Sequence, residues 1–480
     1  MRGSEGAERA ARVLGAALLC AGLLVGAEVS AHGIWGHVHV TGWAIENLPE
    51  GELRDFFSDP EVVNAALFGA AFTDSGYWPQ GGDLSRRSRA YGEHTHWEPF
   101  IADFIAWIVA NDPPPWDDQE SRKRVAFLMG CASHGLQDEI FDSLFLYQVE
   151  AHDTKGQDEA DPATDGFLAL DGHIRFAPTE YIPMDTLVEL YARLDQDVDA
   201  ETILSSVSIM KRFYLNHEVG IDVARALGDR HAPELPWTRE HYLDPEIPGS
   251  LRAEVFPTMR YLQALWKRLH GDLGPADLVV FAYPEAPRRL LGPDAAPDNW
   301  ATLIFGAGLR YDQTAPTWVD DQGDPVAFAR NNTRWGEAWP RLIRLQPEGP
   351  LVPGGWYTVG LDAGAAVIDG FEMDTPFALR FQVACGPENP DDCEDLGDIP
   401  VAAIDPTPSE EPDAGLPDAD DGEPDPPPSL PQSQPADGGC ATPLAAPHST
   451  AAGWLLLCAL IGARARRRDR GGCGEGRRGA

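Results

Sequence analysis

Cysteine and basic residues are both scarce in this chain of 480 residues. It has 7 cysteines, and its 37 lysines and arginines are outnumbered by 76 aspartates and glutamates, for a formal net charge of -39. Contacts to nucleic-acid phosphates need lysine and arginine, so no nucleic-acid partner is expected. The same charge argues against attraction to anionic membranes, but it leaves room for a lipid substrate that is recognised in another way.

Three common catalytic signatures are also missing. The chain has no Gly-x-Ser-x-Gly nucleophile elbow, no Gly-x-x-x-x-Gly-Lys phosphate loop and no His-Glu-x-x-His zinc motif. The corresponding serine hydrolases, nucleotide hydrolases and zinc proteases are therefore not indicated.

The few cysteines occupy different settings. Cys385 and Cys393 close the short loop CGPENPDDC, which predicts a disulfide in an oxidising compartment. Cys131 lies in an apolar run and is predicted to be a buried thiol.

The start of the chain has the pattern of a secretory signal. Arg9 and Arg12 precede an apolar run at 13–27, and the small residues just before His32 fit a cleavage site. Residues 1–31 are therefore predicted to be a signal peptide, and His32 would then be the first residue of the mature protein.

The end of the chain, 439–480, combines Cys440, a short apolar run at about 451–463 and an arginine cluster. This order resembles the myxobacterial-type C-terminal sorting tail. The resemblance implies cleavage near Cys440 by a sorting or lipidation machinery, and display at the cell surface or outer membrane. The alternative is a plain C-terminal membrane anchor, although the run is shorter than the roughly 20 residues of a membrane span.

Between these ends we predict a multi-domain protein. Residues 32–273 are predicted to be mainly α-helical, as in PFIADFIAWIVA, where apolar residues recur at helical spacing. Short β-rich segments in 275–393 predict a small β-sandwich that resembles bacterial immunoglobulin-like modules. Residues 394–438 are rich in proline and aspartate and poor in aromatics, which predicts a disordered linker.

The helical part contains a candidate metal site. His134, Asp138 and Asp142 follow i, i+4, i+8 spacing, so they share one face of a helix that is otherwise apolar nearly all round. Charged groups in such surroundings are costly unless something compensates them, and a metal ion does so. The alternative interpretation is a solvent-facing polar stripe.

Other segments add candidate ligands. Asp74 lies in GAAFTDSGYW, and His96 lies in YGEHTHWEPF just before a predicted helix. Asp161 and Asp165 are four apart in DPATD, where the proline predicts that a helix begins at Asp161.

Taken together, these segments resemble the zinc-dependent phospholipase C family. This family includes the N-terminal domain of glycosylphosphatidylinositol-specific phospholipase D and shares its fold with single-strand nucleases. The resemblance spans roughly 32–165. It is carried by the five-residue spacing of His32 and His37, by Ala44 and the Leu-Pro that follows it, and by the motif Gly-x-x-x-His-x-x-x-Asp that ends at Asp138.

The resemblance implies a phospholipase C-like helical domain with two or three zinc ions. It assigns as metal ligands His32, His37, Asp74, His96, His134, Asp138, Asp142, Asp161 and Asp165, and as catalytic residues Asp74, His134 and Asp138. The family binds metal through the free amine and carbonyl of its first mature residue, which would be His32 here. His39 is an alternative to His37 in a shifted register.

The sequence departs from the family pattern at three positions. His32 replaces a tryptophan, while Asp142 and Asp161 replace histidines, so that one site becomes all-carboxylate. Carboxylates suit Mn²⁺, Mg²⁺ or Ca²⁺ better than Zn²⁺. The alternative ligands nearby are Glu150, His152, His217 and Glu218.

The resulting prediction is a secreted, surface-displayed, monomeric phosphodiesterase. It would hydrolyse phospholipid by the phospholipase C reaction, with a metal-activated water. Four aromatic residues are expected either in the core or along a substrate cleft: Trp43, Tyr77, Trp78 and Trp97. The rival hypotheses are a nuclease on the same fold, and a surface adhesion or binding protein whose metals only stabilise it.

Overall fold

The computed structural model describes most of the chain between Gly33 and Cys385. The described residues are 33–78, 82–215, 217–274, 277–285, 289–290, 292, 299–331, 339–365, 367–368 and 370–385. The predicted signal peptide, His32, the predicted linker and the predicted sorting tail lie outside these ranges.

Helices make up the first part of the described chain. They are α1 Ile34–Glu46, α2 Glu52–Phe56, α3 Pro60–Phe72, α4 Gly82–Thr95, α5 Glu98–Asn111, α6 Gln119–Ile140, α7 Leu146–His152, α8 Gln157–Leu170, α9 Met184–Arg193, α10 Ala200–Met210, α11 His217–His231, α12 Pro236–His241 and α13 Val255–His270. A 3₁₀ turn, Thr73–Tyr77, follows α3, and π-helical turns at Phe141–Phe145 and Lys211–Leu215 follow α6 and α10. The predicted helical first part is confirmed.

Helix α6 is the central helix that the sequence predicts. Asp118 caps it by accepting hydrogen bonds from the N–H groups of Glu120 and Ser121, which satisfies donors that have no partner within the helix. Every residue in 125–140 is buried. The helix runs directly into the π-helical turn and then into α7, so the central element extends to His152.

Helix α8 begins earlier than the sequence analysis predicts. It starts at Gln157, and Pro162 lies inside it. Glu159 accepts a hydrogen bond from the N–H of Gly156, half of a capping box, and so stabilises the earlier start. A proline removes one backbone hydrogen bond, but the packing of α8 against α1 and α11 keeps this stretch helical.

Two four-stranded sheets form the predicted β-sandwich. The strands are β1 Val279–Tyr283, β2 Arg289–Leu290, β3 Ala301–Phe305, β4 Pro316–Asp320, β5 Phe328–Asn331, β6 Leu342–Pro347, β7 Trp356–Leu361 and β8 Phe377–Val383. One sheet has the order β1-β3-β6-β5 and the other β2-β8-β7-β4; all described strand pairs are antiparallel except β2 with β8.

The central strands of the first sheet, β3 and β6, are buried on both faces. Along β3, Leu303 and Phe305 join the core between the two sheets, whereas Ile304 joins the core of the helices. Along β6, Ile343 points into the sandwich core and Leu342 into the helical core. This period-two alternation means that the sandwich packs directly on the helices. The helices and strands belong to one compact unit.

The cysteines agree with their predicted settings. Cys131 is a buried free thiol, which confirms that prediction. Cys385 is disulfide-bonded, and Cys393, its predicted partner, lies outside the described residues. Within the described ranges, no helix has both the length and the apolar character that crossing a bilayer requires.

Candidate metal centre

Five of the predicted ligands meet at one buried point. His37 lies on α1, Asp74 in the 3₁₀ turn after α3, His96 just after α4, and His134 and Asp138 on α6. All five are at most 4% exposed. The alternative interpretation of the α6 stripe as solvent-facing is therefore wrong for His134 and Asp138.

Close packing of α3 on α6 places two of these groups side by side. A Cβ atom on Gly130 would lie 1.9 Å from the carbonyl oxygen of Ala66, and one on Gly69 would lie 2.3 Å from that of Phe127. Only glycine fits at this contact, which gives the glycine of the Gly-x-x-x-His motif a steric role. The same approach lets His134 Nδ1 donate to the carbonyl of Ala70 at 2.6 Å.

Three of these ligand atoms, from His96, His134 and Asp138, lie close enough together to share one metal ion. His96 Nε2 and His134 Nε2 are 3.1 Å apart. Asp138 Oδ2 lies 3.2 Å from the first and 3.3 Å from the second, and Asp74 Oδ1 lies 3.4 and 3.6 Å from them. Four atoms about 2.0–2.1 Å from a tetrahedral zinc ion lie roughly 3.3–3.4 Å from one another. His96, His134 and Asp138 therefore have the spacing of ligands to one zinc ion. Asp74 lies at a similar distance from both imidazoles and also forms a group of possible ligands with His37 and His134.

Hydrogen bonds fix the orientation of the three imidazoles. His96 Nδ1 donates to the carbonyl of Gly92 at 2.6 Å, as His134 Nδ1 does to that of Ala70. His37 Nδ1 lies 3.0 Å from the amide oxygen of Gln137. In the neutral form of each ring the proton therefore belongs on Nδ1, which leaves the lone pair of Nε2 facing the centre. This second layer of contacts is typical of metal-binding histidines.

Asp138 has a second face. Its Oδ1 lies 3.2 Å from His37 Nε2, while Oδ2 faces the other two histidines. The ring of His37 stacks on that of His134, with centroids 3.5 Å apart. A carboxylate with one oxygen on each side has the geometry to bridge two ions.

Charge balance inside the cluster shifts the pKa values of its members. Burial opposes ionisation of Asp138, but the charges of His134 and His37 outweigh it and hold the pKa of this carboxyl well below its usual range. Burial lowers the pKa of His96, yet its bond to Asp74 and the charge of Asp138 raise it to about 9. Burial and the charge of His37 lower the pKa of His134 to about 4.

The three remaining aspartates form an acidic side of the centre. Asp142, in the π-helical turn, and Asp161 and Asp165, on α8, are all buried. Both carboxylate oxygens of Asp161 have no hydrogen-bond partner among the described residues. Burial, followed by the charge of Asp142, raises the pKa of Asp161 well above its usual range. A cation would compensate this charge.

Asp165 has a structural contact as well. Its Oδ2 and Oδ1 accept hydrogen bonds from the backbone N–H groups of Trp35 and Gly36, at 3.1 and 2.7 Å. Asp165 therefore ties α8 to the first turn of α1, at Gly36 directly before His37. Its carboxylate is partly occupied by these contacts.

Two residues near the centre escape the sequence analysis. Gln137 orients His37, as described above, and its Nε2 donates to Thr41 Oγ1 at 3.0 Å. Glu254, just before α13, is buried, and its carboxyl group interacts electrostatically with His37 and Asp138. Gln137 follows His134 by three on α6, so helical spacing could have indicated it; no local pattern indicates Glu254.

The other predicted ligands are placed elsewhere. His39 Nδ1 donates to the carbonyl of Trp35 and its Nε2 accepts from the N–H of Arg175, so His39 does not replace His37 at the centre. His152 is exposed and stacks on Trp237, with ring centroids 4.8 Å apart. Glu150 is half-buried on the same helix. His32 and the side chains of His217 and Glu218 lie outside the described part of the chain.

The four aromatic candidates divide between core and periphery. Trp43 is 1% exposed and belongs to the helical core. The other three are half-buried: Tyr77, Trp78 and Trp97. The ring of Tyr77 lies 5.4 Å from that of His96, and its hydroxyl donates to Glu93 at 2.9 Å. Tyr77 is thus the aromatic residue whose contact with the centre is best defined.

Comparison with known proteins gives partial similarities. No family model matches the chain. Phosphatidylinositol-glycan-specific phospholipase D from Bos taurus is 30% identical over 177 residues, which is 34% of this chain and 20% of the relative. The Homo sapiens protein of the same name is 34% identical over 113 residues, 21% of this chain and 13% of the relative. The chain thus matches about a fifth or less of the length of these relatives.

Solved structures give only remote matches. CopC from Methylosinus trichosporium OB3b is 20% identical, covering 22% of this chain and 93% of that one, with a TM-score of 0.18. The S-layer protein rSbsC is 12% identical, covering 67% of this chain and 46% of that one, with a TM-score of 0.16. Scores this low carry no argument about the fold.

Proposed function

We propose that this protein is a metal-dependent phosphodiesterase that hydrolyses phospholipid by the phospholipase C reaction. The observation that carries the proposal is the buried cluster of His96, His134, Asp74 and Asp138. The ligand atoms of His96, His134 and Asp138 lie 3.1–3.3 Å apart, and Asp74 Oδ1 lies within 3.6 Å of both imidazoles. Its partial similarity to phospholipid-cleaving relatives supports the choice of substrate.

These four residues would hold a first zinc ion. His37 and the second oxygen of Asp138 would hold another, together with the free amine and carbonyl of His32 after signal cleavage. A bound zinc ion would supply positive charge for phosphate oxygens. It would also lower the pKa of a bound water, which could then attack phosphorus as hydroxide at neutral pH. Asp142, Asp161 and Asp165 would hold a further cation, for which Mn²⁺, Mg²⁺ or Ca²⁺ is better suited.

The protein's own residues hold this centre in shape. The acceptors at Nδ1 keep each imidazole aimed inward, so its lone pair needs no reorientation. Asp138 stays ionised because of the neighbouring imidazoles. Asp74, His134 and Asp138, the catalytic residues that the resemblance implies, would hold the ion that lowers the pKa of the attacking water.

The overall charge and the two chain ends complete the proposal. A net charge of -39 disfavours a polyanionic substrate such as a nucleic acid and is compatible with a zwitterionic phospholipid. From the signal and tail patterns we propose action outside the cytoplasm, with the protein anchored at the surface; we also propose that it acts as a monomer.

Turnover of three substrates by residues 32–393 tests the proposal: phosphatidylcholine, single-stranded DNA and a simple phosphodiester, each with and without chelator. We expect chelator-sensitive release of diacylglycerol and phosphocholine. Release of phosphatidic acid and choline would indicate cleavage on the other side of phosphorus. His134→Gln should abolish turnover, and His152→Gln, on the exposed end of the same helical element, serves as the matched control.

The remaining outcomes identify the rival functions. Chelator-sensitive cleavage of DNA without lipid turnover would indicate a nuclease. Firmly bound metal with no turnover of any of the three substrates would favour a binding protein with a structural metal site.

A further inference from the structure

One side chain of the β-sandwich reaches into the helical part beside the metal centre. Arg341 immediately precedes β6 and is 0% exposed. Its Nε and Nη2 both lie 2.7 Å from Glu139 Oε1, and its backbone N–H donates to Glu139 Oε2 at 2.7 Å. The remaining N–H groups extend further: Nη2 donates to the carbonyl of His96 at 2.8 Å and Nη1 to that of Ala132 at 3.3 Å.

The partners of Arg341 belong to the two segments that carry the first metal site. Glu139 follows Asp138 directly, and Ala132 precedes His134 by two residues on the same helix. His96 is itself a predicted ligand. A single guanidinium therefore joins α6 to the turn that places the His96 imidazole.

The packing at this junction leaves little space. A Cβ atom on Gly135 would lie 2.1 Å from the carbonyl oxygen of His96 and 2.7 Å from Arg341 Nη2. The backbone of His96, the helix α6 and the guanidinium are thus in mutual contact. Because close-packed interiors transmit displacements, a shift of the guanidinium would move the ligands.

Two further arginines also join the helices to the sandwich. Arg268 on α13 pairs at 2.7 Å with Glu98, which lies two residues after His96 in the chain. It also donates to the carbonyl of Gly306, just after β3. Arg344 on β6 donates to the carbonyl of Ser143 at 2.6 Å, next to Asp142. Arg341 and Arg344 thus both donate to backbone carbonyls at or within two residues of predicted ligands.

We propose that Arg341 is a positioning residue for the metal centre, so that the sandwich is part of the metal-binding apparatus and not an independent module. The ions concerned are those of the proposed function, on which this inference rests. Arg341 holds the carbonyl of His96 at a fixed distance from α6, and thereby sets the distance between His96 Nε2, His134 Nε2 and Asp138 Oδ2.

A buried ion pair of this kind is weak evidence for stability, because removing both charges from water offsets much of their attraction. A role in geometry explains the arrangement better, because a guanidinium presents five donors in a fixed planar fork. Lysine would keep the charge near Glu139, but one ammonium group cannot also hold the two backbone carbonyls.

The test measures metal binding of the full mature chain, without reference to turnover. Zinc affinity is determined by competition with a chromophoric chelator, and the geometry of the first site by the visible absorption of the Co²⁺ form. We expect Arg341→Met to weaken zinc binding about 10- to 100-fold, the usual effect of removing a second-layer contact. The Co²⁺ bands should shift, and Arg341→Lys should give an intermediate effect.

Arg330→Met is the matched control. Arg330 donates to the carbonyl of Thr314 and packs over the ring of Tyr311, so its described contacts stay within the sandwich. We expect its zinc affinity and Co²⁺ spectrum to equal those of the unmodified protein. If Arg341→Met does not fold, Arg341→Lys decides by the same criteria.

Each outcome bears on the inference. A folded Arg341→Met or Arg341→Lys variant with unchanged zinc affinity and an unchanged Co²⁺ spectrum would overturn it, as would equal losses in Arg330→Met. An unmodified protein that binds zinc but hydrolyses no phosphodiester would refute the proposed function and leave the positioning role standing. An unmodified protein that binds no zinc would refute both.

Discussion

The two sides of the metal centre carry carboxylates of the same kind but handle their charge differently. On one side, which we call the mixed side, Asp74 and Asp138 face His37, His96 and His134. On the acidic side, Asp142, Asp161 and Asp165 have one another as charged neighbours, and the pKa of Asp161 is raised instead of lowered. Buried carboxylates are thus balanced within the protein on the mixed side, while the acidic side needs a proton or a cation.

This comparison explains why the mixed side can be preformed. Imidazoles and carboxylates compensate one another at 3.2–3.6 Å, so the cluster holds together before any ion arrives. A preformed site binds its ion without a reorganisation cost. On the acidic side, burial and the charge of Asp142 both oppose the charged state of Asp161, so a bound cation would decide whether Asp161 is protonated.

Breaking the mixed side should have the largest effect. We expect His134→Ala to remove at least one metal ion per chain and to reduce the free energy of unfolding by about 3–5 kcal/mol, because a buried charge of Asp138 loses partners. Metal analysis and urea unfolding measure the two effects together. The exposed His152→Gln should change neither. Retention of all metal by His134→Ala would exclude this histidine as a ligand.

Converting the acidic side toward the mixed type should add a zinc ion. Asp142→His combined with Asp161→His introduces two imidazoles where the resemblance expects them, and imidazole suits zinc better than carboxylate does. We expect about one more zinc per chain by metal analysis, with a reduced preference for Mn²⁺ or Mg²⁺. If the double variant gains no zinc, the assignment of Asp142 and Asp161 as metal ligands is wrong.

Replacing Asp161 on the acidic side by a neutral residue should change the free energy of unfolding in opposite directions with and without metal. In metal-free protein at neutral pH, Asp161→Asn should stabilise by about 1–3 kcal/mol, because it removes a buried carboxylate that lacks hydrogen-bond partners among the described residues. In metal-loaded protein the same change should destabilise, because a ligand is lost. Urea unfolding in both states measures this. Stabilisation in both states would mean that Asp161 binds no ion.

The smallest effect concerns pH. The pKa of His96 is raised from 6.5 to about 9 in the metal-free protein, so its contribution to stability is fully present below pH 6.5 and is lost as the pH rises through 9. Zinc binding needs neutral His96, so zinc affinity should rise over the same range.

Urea midpoints and zinc affinities at several pH values across this window measure both trends. The metal-free protein should become less stable while the zinc affinity increases. A metal-free stability that rises toward pH 9 would contradict the protonated state of His96. The pKa of His134 is about 4, so this histidine does not titrate within the window.

Local sequence patterns predicted much of this molecule. The apolar periodicity around α5 and α6, and the β-rich character of the short segments in 275–393, can each be read from one short stretch of chain. The spacing of His134 and Asp138 likewise follows from the helical repeat alone. The sequence predicted that α8 begins at Asp161, because a proline is a strong local signal for a helix start. Packing on α1 and α11 instead keeps the chain helical from Gln157.

The sequence by itself determined the residue types of the site, the faces on which α6 presents them and the order of helices before strands. Only the tertiary structure decided which histidine of α1 turns inward: His37 meets Asp138, while His39 is held by the backbone of Arg175. It also brought Glu254 near Asp138, more than 100 residues away in the chain, and Arg341 against Glu139, more than 200 residues away. Such proximities depend on how whole elements pack, and the periodicity of a single segment carries no information about a partner that is distant in the chain.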